Sequence, residues 1–312
     1  MRKPPKSPGR CAVSWDNSIE LTEEGLLPLE KALAHALQTG DETGMEVLGY
    51  GEISCVVGCS FHERAYACKR LPPFPDELHY NRYRDVFEHY LIKLRENGVP
   101  VLGSRLFGLP GKEGISAWCV QPRLQKEALL PIRMRNISID EALSLFEKLL
   151  ARALGCVRPT LGLDAQLSNW VLVDGEPAYL DVTTPMMRDA QGREQLDMEL
   201  FLASLPWLLR APVRAFLIKG ILDKYYEPRG VVLDLLGNLH KEKLDALIEP
   251  FLMMANGHFQ SAPIALAEIK KYYEQDAQMW AFLQRLRRLD RAWQRKVRGR
   301  VYPFLLPGQI DR

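Results

Sequence analysis

Between Gly25 and Gln38, Leu26, Leu29, Leu33 and Leu37 recur at spacings of three and four, which predicts a helix that Gly40 can close. The period then shortens. The stretch from Met45 to Leu71 holds short β-branched and aromatic runs separated by glycines, and it predicts antiparallel strands at Met45–Leu48, Ser54–Gly58 and Ala65–Leu71. Helical spacing returns from Asp76 to Glu96, where Tyr80, Tyr83, Phe87, Tyr90, Leu91 and Leu94 form an apolar stripe and Asn97-Gly98 ends it. Two further strands are expected at Val101–Phe107 and Ile115–Val120.

The pattern changes after Gln121-Pro122. Ser138 and Glu141 form a capping box that opens a strongly periodic helix, with Gly155 expected to close it. A hairpin follows: Trp170–Val173, an Asp174-Gly175 turn, and Tyr179–Asp181. From Leu196 onward the spacing is almost entirely helical. The expectation is a disordered tail over residues 1–20, a β-rich part with a leading helix over 21–121, and a larger helical part over 122–312.

Composition adds little to this picture. The chain has 312 residues, 47% hydrophobic and 26% charged, with a net charge of +2, too small to argue for nucleic acid. Six cysteines form no CxxC pair, so free thiols in a reducing cytoplasm are expected. The basic, proline-rich start MRKPPKSPGR has no apolar core, so a signal peptide is not expected there. The most apolar run, Leu200 to Leu222, is broken by Pro206, Arg210, Pro212, Arg214 and Lys219, so no membrane span is expected.

Three places carry candidate chemistry. Gly49 and Gly51, with Ser54 beyond them, sit between two expected strands. They read either as a hairpin turn with glycines at positive φ or as a loop whose N–H groups cover phosphates. Lys69 lies in an apolar strand, where a buried ammonium needs an acid. On the next helix Asp85 faces water, while Glu88 and Glu77 flank the apolar stripe; Glu88 is the preferred partner. Finally, the hairpin should bring Asn169 and Asp181 to one end of a ribbon, as oxygen ligands for a hard cation such as Mg²⁺. Asp164, one loop away, could accept a proton from an attacking hydroxyl. Each of these acids alone is also an ordinary loop residue.

In this order, the Gly-rich loop (Gly49, Gly51), Ala67-x-Lys69, the Glu88 helix, Asp164-x₄-Asn169 and Asp181 resemble the protein-kinase-like superfamily. Ser54 stands for the third glycine, Asp181-Val-Thr183 for the D-F-G triplet, and Gly162-Leu163 for the usual His-Arg before the catalytic Asp. The short segment after Asp181, the absence of A-P-E, and ENGVPVLG after the Glu88 helix look more like the aminoglycoside phosphotransferase and choline kinase branch.

The resemblance implies an α+β, two-lobed fold, with a small antiparallel sheet lobe that binds nucleotide and a larger helical lobe that carries the catalytic loop and acceptor site. It implies ATP and Mg²⁺ as cofactors, Lys69 on the α/β-phosphates and paired with Glu88, and Asn169 and Asp181 on the metal. Asp164 would be the catalytic base, and backbone near Gln121 would hold adenine. The implied activity is phosphoryl transfer to a hydroxyl or amine of a small molecule. The alternatives are a weak or inactive nucleotide-binding scaffold, or an enzyme that phosphorylates or adenylylates a protein.

The run from Leu283 to Arg300 holds eight basic residues and one acid. It reads as a solvated helix face or as a site for an anionic partner: a phosphorylated acceptor held by Arg287, Arg288 and Arg291, an acidic lipid or nucleic acid. A cytoplasmic monomer or weak dimer that does not bind nucleic acid is expected.

Overall fold

In the computed structural model, residues 19–51, 54–111, 114–197, 202, 210, 218–299 and 302 are described, without the side chains of 218, 219 and 221. The tail expected over residues 1–20 falls almost wholly outside them, as does most of the apolar run from Leu200 to Leu222.

The described chain is α+β. Five antiparallel strands, β1 (Val47–Tyr50), β2 (Cys55–Phe61), β3 (Arg64–Arg70), β4 (Arg105–Gly111) and β5 (Gly114–Pro122), form one sheet in the order β1-β2-β3-β5-β4. Helix α1 (Glu23–Thr39) precedes it and α2 (Glu77–Glu96) leaves β3. Thr22 caps α1 by accepting from the Gly25 N–H, and Gly40 closes it at a φ of 81°. Asp76 caps α2 through the His79 N–H. The mostly helical remainder holds α3 (Leu130–Met134), α4 (Ile139–Cys156), the hairpin β6 (Trp170–Val173) and β7 (Glu176–Tyr179), then α5 (Ile218–Asp223), α6 (Pro228–Lys241), α7 (Ile248–Asn256) and α8 (Leu266–Lys296).

Five expectations are corrected. The second hairpin strand is Glu176–Tyr179 rather than Tyr179–Asp181, because the tight Asp174-Gly175 turn starts pairing at once, and β1 is Val47–Tyr50 rather than Met45–Leu48, since its pairing with β2 runs on through Gly49 and Tyr50. The segment from Val101 does not start a sheet strand. The Pro100 carbonyl and the Leu102 N–H bond Tyr179 instead, and β4 begins only at Arg105, after Gly103-Ser104. This segment therefore fastens the hairpin rather than the sheet. Strand β2 runs on to Phe61, because the β2–β3 turn is made by His62 and Glu63 at φ of 47° and 64°, residues that do not announce a turn. Helix α4 keeps its capping box but passes through Gly155 to Cys156, since Gly155 does not take positive φ.

Strand alternation splits the sheet into two faces. Cys55, Val57, Tyr66, Cys68, Phe107, Trp118 and Val120 form one core with Leu26, Leu33 and Leu37 of α1. Glu30 of α1 locks that layer: it accepts from Arg70 Nε and Nη2 at 3.2 and 3.0 Å, Ser116 Oγ at 2.8 Å and Trp118 Nε1 at 2.8 Å. On the other face, Leu71, Ala117 and Cys119 join a larger core with α2, α4, α6, α7 and the hairpin, where Phe146 stacks on Phe251 at 4.0 Å. Helix α2 thus belongs to both parts of the molecule.

Candidate functional site

Strand register sets which residues face the helical part. Gly49 pairs with Val56, Val56 with Lys69, and Lys69 with Cys119. Directly opposed residues share a face, so the missing side chain of Gly49 lies in the same row as the Lys69 ammonium. Gly58, Ala67 and Gln121 form the next row on that face. Neither Gly49 nor Gly51 has positive φ: Gly49 lies in β1, and Gly51 stands at the β1–β2 turn without the left-handed backbone that would call for glycine. A Cβ built on Gly49 meets nothing within 4 Å, whereas one on Gly51 would meet Ser54 Oγ at 2.5 Å. Gly51 N–H donates to the Ser54 carbonyl at 2.8 Å, closing the loop between β1 and β2.

Lys69 does not pair with Glu88. Its Nζ donates to Asp181 Oδ1 at 2.8 Å, across 112 residues of sequence. Glu88, Glu77 and Asp85 are all exposed, because the buried stripe of α2 is filled by Tyr83, Phe87 and Tyr90. Tyr83 reaches the same loop instead, donating its hydroxyl to the Thr183 carbonyl at 2.9 Å.

The hairpin gathers the remaining residues. Asp174 and Gly175, at φ of 51° and 81°, turn β6 into β7 as the Asp-Gly pair predicts. Trp170 pairs with Tyr179, and the Leu180 N–H then donates to the Asn169 carbonyl at 2.9 Å. That bond sets Asn169 and Asp181 at one end of the ribbon. Asn169 commits its amide nitrogen to the Asp164 carbonyl at 3.1 Å, which leaves its amide oxygen as the group for a cation. Lys69 and the Thr183 hydroxyl both use Oδ1 of Asp181, at 2.8 and 3.2 Å, and Oδ2 takes neither bond. Gln121 ties the sheet to this end: its Nε2 donates to the Leu180 carbonyl at 2.8 Å and to Ser104 Oγ at 2.9 Å.

The loop before Asp164 lacks a His-Arg pair but is held by main chain. Gly162 N–H donates to the Met186 carbonyl, Leu163 N–H to the Tyr225 carbonyl, and the Tyr90 hydroxyl to the Gly162 carbonyl, at 2.9, 3.0 and 3.1 Å. A Cβ at Gly162 would lie 3.0 Å from Met186 Cβ and from the Tyr225 carbonyl, so a larger residue would need these neighbours to give by a few tenths of an ångström.

Sequence reasoning missed a second charged cluster. Asp234 of α6 is 1% exposed; Lys224 Nζ reaches its Oδ1 at 2.7 Å, the Tyr272 hydroxyl donates to the same oxygen, and Gln166 Nε2 donates to Oδ2 at 3.1 Å. Gln166 also donates its N–H to Asp164 Oδ1 at 3.2 Å, so it bridges the two carboxylates. A readable signal was there: a lone acid inside the apolar run Val231-Val-Leu-Asp234-Leu-Leu236 needs partners.

The carboxylates are driven apart. Burial pushes Asp164 up to about 7, aided by the Asp234 and Asp181 charges and opposed by the Gln166 N–H and Lys224. Burial also opposes ionisation of Asp181, but the Lys69 charge and hydrogen bond, with Thr183, prevail and hold it below its usual range. One acid is poised to exchange a proton near neutral pH and the other is fixed as an anion, the separation expected where two carboxylates take different roles.

The expected acceptor site at the basic run is not next to this cluster. Arg287 is buried, and it lies fifteen residues beyond Tyr272 along α8, about 22 Å at 1.5 Å per residue. Among the described residues no group of three or more His, Cys, Asp or Glu could by itself hold a metal ion, and their cysteines are unpaired thiols. No described helix is long and apolar enough to cross a membrane.

Residues 28–291 match the sequence model of a family described as "Family of unknown function (DUF6206)", and the chain belongs to that family. The match runs from α1 into α8, so it takes in both the sheet and every residue of the site above. No curated protein matches the chain.

Proposed function

We propose that this chain is an ATP- and Mg²⁺-dependent phosphotransferase with a protein-kinase-like, two-lobed fold, acting on a hydroxyl or amine of a small molecule. The observation that carries the reading is the Lys69–Asp181 bond at 2.8 Å. It brings the strand lysine to Asp181, which shares its end of the hairpin with Asn169 and whose charge is felt at Asp164.

The donor set suits Mg²⁺, which takes one or two protein oxygens and completes its shell with water and phosphate. Asn169 Oδ1 and Asp181 Oδ2 would hold it, and the bound ion would neutralise charge on the transferred phosphoryl group. Lys69 would bear on the nucleotide phosphates, with the open row at Gly49 giving them room. Asp164, proton-accepting near neutral pH, would take the proton of the attacking group. Lys224, Asp234 and Tyr272 would wall the acceptor side.

A second reading, a nucleotide-binding scaffold without turnover, is favoured by one observation: Lys69 holds the very carboxylate assigned to the metal. The two readings separate in one experiment. Thermal unfolding is followed with ATP, with and without Mg²⁺, and ADP release is then screened over hydroxylated and aminated metabolites. A ligand at a hundredfold its dissociation constant adds about 2.7 kcal/mol of stability, so the shift should be plain and should need the metal. Stabilisation without ADP release supports the scaffold. No stabilisation by Mg·ATP overturns both.

A further inference from the structure

The second half of α8 carries a surface that the candidate site does not use. Met279, Phe282, Leu289, Trp293 and Val297 are each between 41% and 68% exposed. At 3.6 residues per turn they fall within an arc of about 80°, with the half-buried Leu286 inside it. Single exposed apolar residues are ordinary, but a contiguous stripe with a Phe and a Trp is not.

One edge of the stripe is basic. Arg285 and Lys296, both exposed, project within about 40° of it, and exposed Arg288 and Arg295 continue the same side. Arg295 is anchored, donating to the Leu37 carbonyl of α1 at 2.7 Å. Between Ala281 and Gly299 the chain has one acid, Asp290, and it is turned into the protein. The exposed side of this segment is therefore apolar and basic with no acid at all.

We propose that the C-terminal half of α8 docks on the surface of an anionic lipid bilayer, lying in the interface rather than crossing it. An interfacial helix needs an apolar face to enter the acyl boundary and cations to meet anionic headgroups. Trp is well suited to the boundary itself, and Trp293 sits mid-stripe. A nucleic acid would use the cations and leave Phe282, Leu289 and Val297 in water. A second copy of the chain would bring the same cations against themselves.

The test uses the full chain and vesicles of phosphatidylcholine with or without phosphatidylserine. Co-sedimentation with the mixed vesicles, and none with phosphatidylcholine alone, is expected, weakening as salt rises. Leu289→Ser with Trp293→Ser should abolish it without changing the melting temperature, because both side chains are exposed. Arg285→Glu and Lys296→Glu should each weaken partitioning by about fivefold or more, the share of one cation near an anionic surface. Equal binding to neutral vesicles, or none to anionic ones, overturns the proposal, as does a Leu289→Ser/Trp293→Ser protein that still binds. A dimer in light scattering that the same double variant disperses would assign the stripe to a second copy. Binding of an RNA oligonucleotide without vesicle binding would assign the cations to nucleic acid.

Discussion

The two faces of the five-stranded sheet are built from alternate residues of the same strands, yet they are filled on different principles. The face under α1 is closed: leucines of the helix meet Val57, Tyr66, Trp118 and Val120, and its polar groups are consumed by the Glu30 knot. The opposite face leaves open space at Gly49, sets an ammonium two strands away in the same row at Lys69, and sends Gln121 and Lys69 across to the hairpin. A side chain on the first face is explained by packing. Several on the second are not, since an apolar residue at Lys69 and a larger one at Gly49 would suit a strand better. That surplus of locally unfavourable choices is what supports placing the proposed site on the second face.

The sharpest way to break this contrast is to change a charge at the hairpin end. Asp164→Asn keeps the shape and removes proton acceptance, so turnover of the acceptor identified by the metabolite screen should fall by about 10²–10⁴-fold. Melting temperature should hold or rise, because burial already disfavours the charged form of Asp164. A large loss of stability with unchanged turnover would place Asp164 among structural residues.

The mirror experiment is Glu30→Ala on the covered face. It takes the carboxylate from Arg70, whose side chain is 11% exposed, removes the acceptor of Trp118 Nε1, and leaves Arg70 and Ser116 only the bond between them at 3.1 Å. Removing one member of a buried pair costs about 3 kcal/mol, read as a lower midpoint in urea. Mg·ATP affinity measured well below that midpoint should be unaltered. If nucleotide affinity falls while the midpoint stays, the two faces are not divided as stated.

A third, smaller effect tests the charges around Asp164. Its base form is lost as pH falls through a value near 7, so turnover should have an acid limb there. Asp234 raises that value and Lys224 lowers it, while Asp181 raises it from the other side. Asp234→Asn should therefore move the limb to lower pH, and Lys224→Met to higher pH, each by about one pH unit. Limbs that move together, or not at all, would show that the cluster holds the loop without tuning it. Stability carries an opposite sign at Asp181, whose lowered value gives a contribution present above the ordinary carboxylate range and lost as pH falls through the lowered one.

Much of this was legible from spacing. The α1, α2 and α4 stripes, the Ser138–Glu141 box and the Asp174-Gly175 turn are local signals, and each forms as its residues dictate. The end-of-ribbon placement of Asn169 and Asp181 followed from the hairpin alone. What failed was long-range. The partner of Lys69 came from 112 residues away rather than from the next helix, and a wheel cannot show that Tyr83 and Phe87 leave Glu88 no room toward the sheet. The Asp234 cluster joins residues from three separate stretches around Gln166, Lys224 and Tyr272. The His62-Glu63 turn has no glycine or asparagine to give it away.

Gly49 allows the finest test, because its structural and functional demands can be separated. The position does not need positive φ, and a Cβ there meets nothing within 4 Å. Glycine in a strand is also a cost of about 0.5–1 kcal/mol relative to a residue with a side chain. Gly49→Val should therefore leave the melting temperature unchanged or slightly higher, since a β-branched residue favours the strand. The valine would project in the row of Lys69, into the space that phosphates would occupy. Mg·ATP affinity should fall while stability does not, and Gly49→Ala should fall between wild type and Gly49→Val. The measurement is a Mg·ATP titration of the three proteins alongside their melting curves. If valine is accepted with full affinity, the open row at Gly49 is not where the nucleotide lies, and the Gly-rich loop drops out of the site even if Lys69 and Asp181 remain in it.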